Sequence, residues 1–269
     1  MRRTRFFGML LMLVVVGGCG MFAWRWEQRG PGRASVGGAI GRFRSSAAVT
    51  TPTRALQPRP GVYLYSGTGS ESLSFLSTHQ GQGPTEPGTV TLQPNGCWQF
   101  RIDFNSFHYQ TWSRCATNGK LTESGGTTGQ KFDFVTLAMS ERSGVTCDPP
   151  FVVAEIGGTP GATSPVRCVG HSQTTKSTFV EVGTSTFVGR DTVAVGDTDV
   201  PALHNRETLL LTGGQTGEVH VDIWFAASDG LPLKETHSIH VVSPAPAPLN
   251  QVTYDELGSW QLQSLSPRT

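Results

Sequence analysis

The stretch CWQFRIDFNSFHYQTWSRC, residues 97–115, places two cysteines at the ends of a segment in which apolar and polar residues nearly alternate. Such period-two alternation is typical of a half-buried β-strand. A turn near Asn105–Phe107 converts the segment into a predicted β-hairpin. Counted inward from the two ends, the residues pair with none left over, so Cys97 is expected directly opposite Cys115. Opposed Cβ atoms in a sheet are about 4.5–5.5 Å apart, which is within reach of a disulfide after a modest adjustment.

The same register gives the hairpin one apolar face. Trp98, Phe100 and Ile102 alternate with polar residues on the first strand, and Trp112 is expected opposite Phe100. Large aromatic residues in such positions are most often core residues. The alternative is that Trp98, Phe100 and Trp112, together with Trp224 near the end of the chain, line a ligand site.

Period-two alternation continues from about residue 61 to the end of the chain. EVHVDIWF, residues 218–225, is the clearest example, and no long stretch shows the 3.6-residue period of an amphipathic helix. The chain contains 33 Gly and 17 Pro among 269 residues, which indicates many turns. The sequence therefore predicts an all-β domain over residues 61–269, built mainly of antiparallel sheet and half-barrel or sandwich-like in form.

Cys147 and Cys168 are a second candidate disulfide pair, around a Pro/Gly-rich excursion. Four cysteines allow three pairings, and neighbour pairing is favoured because the hairpin register independently supports the Cys97–Cys115 bond. An even number of cysteines outside the N-terminal segment, without a C-x-x-C motif, favours an oxidising compartment over the cytosol. The domain is therefore expected outside the cytoplasm.

The N-terminus has the features of a membrane-attachment segment. Residues 6–24, FFGMLLMLVVVGGCGMFAW, carry no charge and follow the basic start MRRTR. This run approaches the length of about 20 residues that crosses a bilayer as a helix. Residues 1–26 are accordingly predicted to be a membrane anchor or signal segment, with an uncleaved single transmembrane helix preferred. The alternative is a lipoprotein, because VVGGC resembles a lipobox in which Cys19 is lipidated.

The charge distribution separates the first sixty residues from the rest. They carry ten Arg and one acid, whereas the remainder carries 11 basic and 19 acidic residues, a net charge of −8. Residues 27–60 are rich in Gly, Pro, Ser, Thr and Arg and are predicted to form a disordered tether. A globular part this acidic repels a phosphate backbone, so nucleic acid is not an expected partner.

Two resemblances add to this interpretation. WFAASDGLPLK, residues 224–234, resembles the strand–turn–strand units of LolA/LppX-like half-barrel lipoproteins, in which a curved sheet encloses a cavity for acyl chains. The basic N-terminus, apolar span, Arg-rich segment and cysteine-bracketed hairpin together resemble exported, membrane-anchored proteins of actinobacteria that carry no known activity. The first resemblance implies a lipid ligand.

The sequence lacks the local motifs of common catalytic and phosphate-binding sites, such as G-x-S-x-G, S-x-x-K and H-E-x-x-H. His220 and His240 are candidates for a cluster beside Asp222, although a polar outer face of an exposed sheet is the preferred explanation. No cofactor or metal ligand set is predicted. The expected function is non-enzymatic binding of a lipid, a glycan or an envelope protein by a membrane-tethered domain. The alternative is an extracytoplasmic hydrolase whose residues converge only in the fold.

Overall fold

A computed structural model describes residues 31–46, 51–52, 55–74, 79–133, 138–245 and 250–269. In this part of the chain one α-helix, α1 (Val36–Ser46), precedes the strands, and a 3-10 turn, Pro94–Gly96, lies between the third and fourth strands. The strands are β1 (Gly61–Leu73), β2 (His79–Gln82), β3 (Thr85–Leu92), β4 (Cys97–Asp103), β5 (His108–Thr117), β6 (Lys120–Asp133), β7 (Ala138–Glu155), β8 (Thr163–Ser172), β9 (Thr178–Val195), β10 (Thr198–Gly213), β11 (Thr216–Ala226), β12 (Pro232–Pro244) and β13 (Gln251–Leu262).

The sheet closes on itself. From β3 to β13 each strand pairs antiparallel with the next, and β1 pairs with both β3 and β13. The result is a closed barrel of 12 antiparallel strands, with the short β2 beside the second half of β1. The predicted all-β, mainly antiparallel class is confirmed. The half-barrel or sandwich-like form is wrong, because pairing of the first strand with the last leaves no open side.

The hairpin formed by β4 and β5 has the predicted register. Cys97 lies opposite Cys115 and Phe100 lies opposite Trp112. Both neighbour pairs of cysteines form disulfides, Cys97 with Cys115 and Cys147 with Cys168. The first bridge lies on the outer face of the barrel because its residues alternate with the inward-facing aromatic residues. The second lies between β7 and β8 on the inner face.

One end of the barrel is filled by apolar side chains. Trp98, Phe225 and Trp260 are almost completely buried there, and Leu56 packs into the same cluster from the segment that precedes β1. The indole nitrogen of Trp98 donates a hydrogen bond to the carbonyl oxygen of Leu56 at 3.2 Å. Residues 56–58 are buried and therefore plug this end of the barrel.

Helix α1 packs against the outside of the barrel, on β1 and β3. Ala39 and Phe43 are buried against Val62, and the hydroxyl of Ser35 accepts a hydrogen bond from the amide of Gly38 at the N-terminus of the helix. The composition of residues 27–60 predicted a disordered tether. For α1 and for the plug that prediction is wrong, because a few of their apolar residues pack against apolar surface of the barrel.

The predicted membrane anchor and Cys19 lie in residues 1–30, outside the described part of the chain. Within the described part, no helix is long and apolar enough to cross a membrane.

The two disulfides should differ in their access to a reductant. Cys97 and Cys115 are half-buried on the outer face, whereas Cys147 and Cys168 are 3% and 2% exposed. Because exchange requires access to a sulfur atom, we expect a soluble thiol or phosphine to open Cys97–Cys115 first in the folded protein. Alkylation followed by peptide mapping gives the order of opening.

Full unfolding in denaturant should remove this difference and is the control. Equal rates of opening in the folded protein, or earlier alkylation of Cys147 and Cys168, would contradict the placement of the two bridges on opposite faces of the wall.

Candidate functional site

The interior of the barrel holds a cavity of about 630 Å³. It lies above the apolar cluster that fills one end and extends to the other end, where the turn between β8 and β9 and the turn between β10 and β11 contribute to its rim. Its size is within the range of about 300–1,000 Å³ found for small-molecule sites. Much of the wall is apolar and comes from Trp112, Val145, Phe151, Phe179, Leu209, Leu211, Val219, Val221, Ile223, Ile239, Val241 and Val252.

One side of the interior carries a chain of buried carboxylates and imidazoles. Nδ1 of His108 lies 3.3 Å from Oε2 of Glu71 and 3.7 Å from Oε1 of Glu256. Oε1 of Glu256 lies 3.3 Å from Nε2 of His237, whose Nδ1 lies 3.1 Å from Oε1 of Glu235. All five side chains are at most 3% exposed. Each of the three carboxyls thus lies within 3.7 Å of an imidazole nitrogen, which is the kind of partner that buried ionic groups require.

The pKa values in this network follow from these contacts. Burial lowers the pKa of His237, but its hydrogen bonds and charge interactions with Glu235 and Glu256 outweigh burial and raise the pKa to about 10. Burial raises the pKa of Glu256, but the nearby His108, the hydrogen bond and charge of His237, and a hydrogen bond from Tyr254 lower it to about 2. His237 and Glu256 therefore form an ion pair at neutral pH.

The size of His237 is matched by a glycine on the adjacent strand. His237 pairs with Gly258 of β13. A Cβ atom placed on Gly258 would lie 2.5 Å from Nε2 of His237, which is closer than real Cβ contacts allow. The glycine therefore makes room for the imidazole to reach Glu256.

A buried arginine separates the cavity from the apolar cluster below it. Arg114 is 2% exposed, and its Nε and Nη2 atoms each lie 3.0 Å from Oε2 of Glu123. The guanidinium also lies over aromatic rings, with centroid distances of 5.6 Å to Trp98, 5.5 Å to Trp112 and 4.9 Å to Phe225. Within the described part of the chain its Nη1 atom has no hydrogen-bond partner. The floor of the cavity is therefore polar, although the walls are largely apolar.

Two further carboxyls face the cavity from β9 and β10. Among the described residues, neither Glu207 nor Glu181 has a hydrogen bond or an ion pair, and Glu207 is 9% exposed. Burial, followed by the nearby Glu123 carboxylate, raises the pKa of Glu207 well above its ordinary value. The same two causes raise the pKa of Glu181 to about 7. These two carboxyls are therefore poised to bind a proton or another positive group.

The interior imidazoles lie beside carboxylates. In the described part of the chain, hydrogen bonds join no Ser, Thr or Cys side chain to His108 or His237, and no group of three or more His, Cys, Asp or Glu is arranged to hold a metal ion. Instead, the interior presents apolar walls, one paired ionic network and further carboxyls without a paired cation, Glu207 and Glu181 among them.

Only some of the predicted ligand-lining residues lie at the cavity. Trp112 lines it. Trp98 and Phe100 lie in the apolar cluster with no exposed surface. Phe100 stacks on Trp112 with centroids 5.8 Å apart and so supports its ring from the neighbouring strand.

Trp224 is on the outer face. It stacks on His204 at a centroid distance of 4.1 Å, and its indole nitrogen donates a hydrogen bond to Asp191 at 2.8 Å. Lys234 covers the ring with its ammonium group 4.5 Å from the centroid. These contacts explain why Trp224 is only 9% exposed although it points away from the lumen.

The candidate cluster of His220, His240 and Asp222 does not form. All three are on the outer face, but Asp222 accepts hydrogen bonds from His204 and Arg206 instead. His240 lies 2.7 Å from Asp255, on the next strand. The outer-face histidines are thus dispersed among local partners.

Sequence reasoning did not identify the buried ionic residues. The signal was present as polar residues at inward positions of strands. In PLKETHSIHVV, residues 232–242, Glu235 and His237 share the inward alternation with aliphatic residues. In TYDELGSW, residues 253–260, Glu256 alternates with Tyr254 in the same way. A polar residue on the apolar face of an alternating strand indicates a buried network.

We expect His237 to titrate near pH 10 in the folded protein, instead of near its ordinary value of 6.5. Because folding raises this pKa, the interaction stabilises the fold fully below about pH 6.5 and is lost as pH rises through about 10. His237→Gln should reduce the free energy of unfolding at pH 7 by about 3 kcal/mol or more, because it leaves Glu256 with one partner fewer. NMR titration of the imidazole and denaturant unfolding at several pH values measure both effects.

The matched control is His220→Gln on the exposed outer face, which should leave stability nearly unchanged. A titration midpoint for His237 below neutrality, or equal effects of the two substitutions, would contradict the buried ion pair.

Comparison of the chain with models of protein families, with curated proteins and with solved structures gives no match in any of the three.

Proposed function

We propose that the barrel is a non-enzymatic binding protein that takes up a small amphiphilic, lipid-like molecule in its central cavity. The observation that carries this proposal is the cavity of about 630 Å³, whose wall is largely aliphatic and aromatic and whose buried polar groups lie at the floor and along one side. Apolar walls with a few placed polar groups are the usual composition of small-molecule sites. An apolar chain would pack against the wall while its polar end reaches the interior carboxyls or Arg114.

The lining of the wall supports this class of ligand over a glycan. Val219, Leu209 and Ile239 are neighbours on three adjacent strands and face the lumen together. Such a surface offers no hydrogen bonds to sugar hydroxyls, but it gains about 25 cal/mol for each Å² of apolar ligand surface that it removes from water.

We further propose that the protein acts outside the cytoplasm and is attached to the membrane through residues 1–26. The uncharged run of residues 6–24 supports attachment. The two disulfides support an oxidising compartment. In this proposal Cys19 lies within the membrane-spanning segment, and the LolA/LppX-like resemblance agrees with a lipid ligand.

Partly filling the cavity should weaken binding of an apolar probe. Val219→Trp adds a large ring beside Leu209 and Ile239, where the wall faces open space, and should weaken binding of N-phenylnaphthylamine about tenfold or more. The dye is neutral and its fluorescence rises in apolar surroundings, so a fluorescence titration gives the affinity directly.

His220→Trp is the matched control, because His220 follows Val219 on β11, points to the outer face and is exposed. It should bind the dye as the unmodified protein does. No binding by the unmodified protein, or equal binding by both variants, would overturn the proposed cavity function.

A further inference from the structure

Glu207 lines the cavity, and the described part of the chain provides no hydrogen bond or ion pair for its carboxyl. It projects from β10 opposite Val221 of β11 and Ser185 of β9, both of which are smaller neighbours without charge. Glu207 is 9% exposed, and its side chain lines the cavity. A buried carboxyl that lacks hydrogen bonds is costly in its ionised form, so some other group must compensate it or it must hold a proton.

The charged surroundings of Glu207 are predominantly acidic. The titratable and charged groups that face it are Arg114 on β5, Glu123 on β6, Glu181 on β9 and Glu235 on β12. Arg114 is already paired with Glu123 through two contacts of 3.0 Å. Glu235 in turn lies 3.1 Å from the imidazole of His237. Both nearby cations are thus engaged by other carboxylates, and the described residues leave Glu207 and Glu181 without a cation of their own, so the local field favours another positive charge.

One feature of the cavity would favour an acidic ligand instead. Nη1 of Arg114 is buried without a hydrogen-bond partner among the described residues, and it could donate to a carboxylate. However, a bound carboxylate would add a further negative charge beside Glu123, Glu207 and Glu235. The excess of carboxyls makes a cationic head group the favoured partner.

The apolar surroundings determine the rest of the ligand. Leu209 and Leu211 follow Glu207 at successive inward positions of β10. On β11, Val221 lies opposite Glu207 and Val219 lies opposite Leu209. A chain or ring that extends from Glu207 toward the rim would contact these four residues. Glu181, opposite Leu211, lies along the same path.

We propose that the ligand of the cavity is an amphiphilic amine, whose protonated nitrogen pairs with Glu207 and whose apolar body packs along β10 and β11. This inference rests on the proposed binding function and specifies its ligand class. Charge-assisted hydrogen bonds between an ammonium group and a carboxylate are about twice as strong as neutral ones and are worth most where water is excluded.

The test compares decylamine, decanol and decanoate, which share a chain and differ in the head group. Isothermal titration at pH 8 keeps decylamine protonated, since alkyl ammonium groups lose their proton near pH 10. We expect decylamine to bind at least about tenfold more tightly than decanol and decanoate. Glu207→Gln should remove this preference while leaving decanol binding unchanged.

Glu218→Gln is the matched control, because it makes the same chemical change at an exposed residue on the outer face of β11. It should retain the preference for decylamine. Val219→Trp should weaken binding of decylamine as well as decanol, which separates binding in the cavity from adsorption of a cation on an acidic surface.

Proton release provides a measurement on the unmodified protein alone. Burial and Glu123 raise the pKa of Glu207, so pairing with an ammonium group should expel a proton from the carboxyl. Titrations in buffers with different heats of ionisation should show this release for decylamine and none for decanol. This readout remains if Glu207→Gln does not fold.

The possible results test the ligand class and the binding function separately. Tightest binding by decanoate would assign the head-group site to Arg114 and overturn the amine inference. A decylamine preference that survives Glu207→Gln, or that occurs without proton release, would also overturn the amine inference. In either case the cavity would still bind an amphiphile. Failure of all three compounds and of N-phenylnaphthylamine to bind would overturn the proposed function itself.

Discussion

Pairing of β1 with β13 is the contact on which the rest of the structure depends. Nine residue pairs join these strands, from Tyr65 with Leu262 to Leu73 with Tyr254. Without this pairing the first and last strands would each expose a row of unpaired backbone groups, and the inner face would be open to water. Closure satisfies the backbone and creates the enclosed space in which the carboxylates, imidazoles and Arg114 interact at low polarity.

Because the barrel is enclosed, the ionisable groups of its interior interact with one another away from bulk water. A buried ion pair gives little net stability on its own, because desolvation offsets much of the Coulomb attraction. Removing one partner is nevertheless strongly destabilising. Paired groups such as His237 with Glu256 therefore hold one another in place, whereas Glu207 and Glu181 have no hydrogen bond or ion pair with another described residue. This asymmetry distinguishes residues that stabilise the interior from residues available to a ligand.

The sequence predicted what depends on local alternation and missed what depends on distant contacts. The register of β4 and β5 follows from one segment of 19 residues and is found as predicted. Closure joins strands nearly two hundred residues apart, so no local pattern encodes it. The disordered tether was predicted from composition, yet Phe43 and Leu56 are buried because they meet apolar surface that the barrel supplies. The interior network was missed because Glu71, His108 and Glu256 converge only when the barrel closes.

Helix α1 runs along the outer wall from the rim end of the barrel to the plugged end. The amide of Ser106 donates a hydrogen bond of 2.8 Å to the carbonyl of Gly32, in the turn between β4 and β5. At the other end of the helix, Arg44 donates to the carbonyl of Thr269, beside the plugged end. The chain therefore enters on the side where the cavity reaches the rim. If residues 1–26 hold the protein at a bilayer as proposed, attachment from the rim end would give an amphiphile a short path between the leaflet and the lumen.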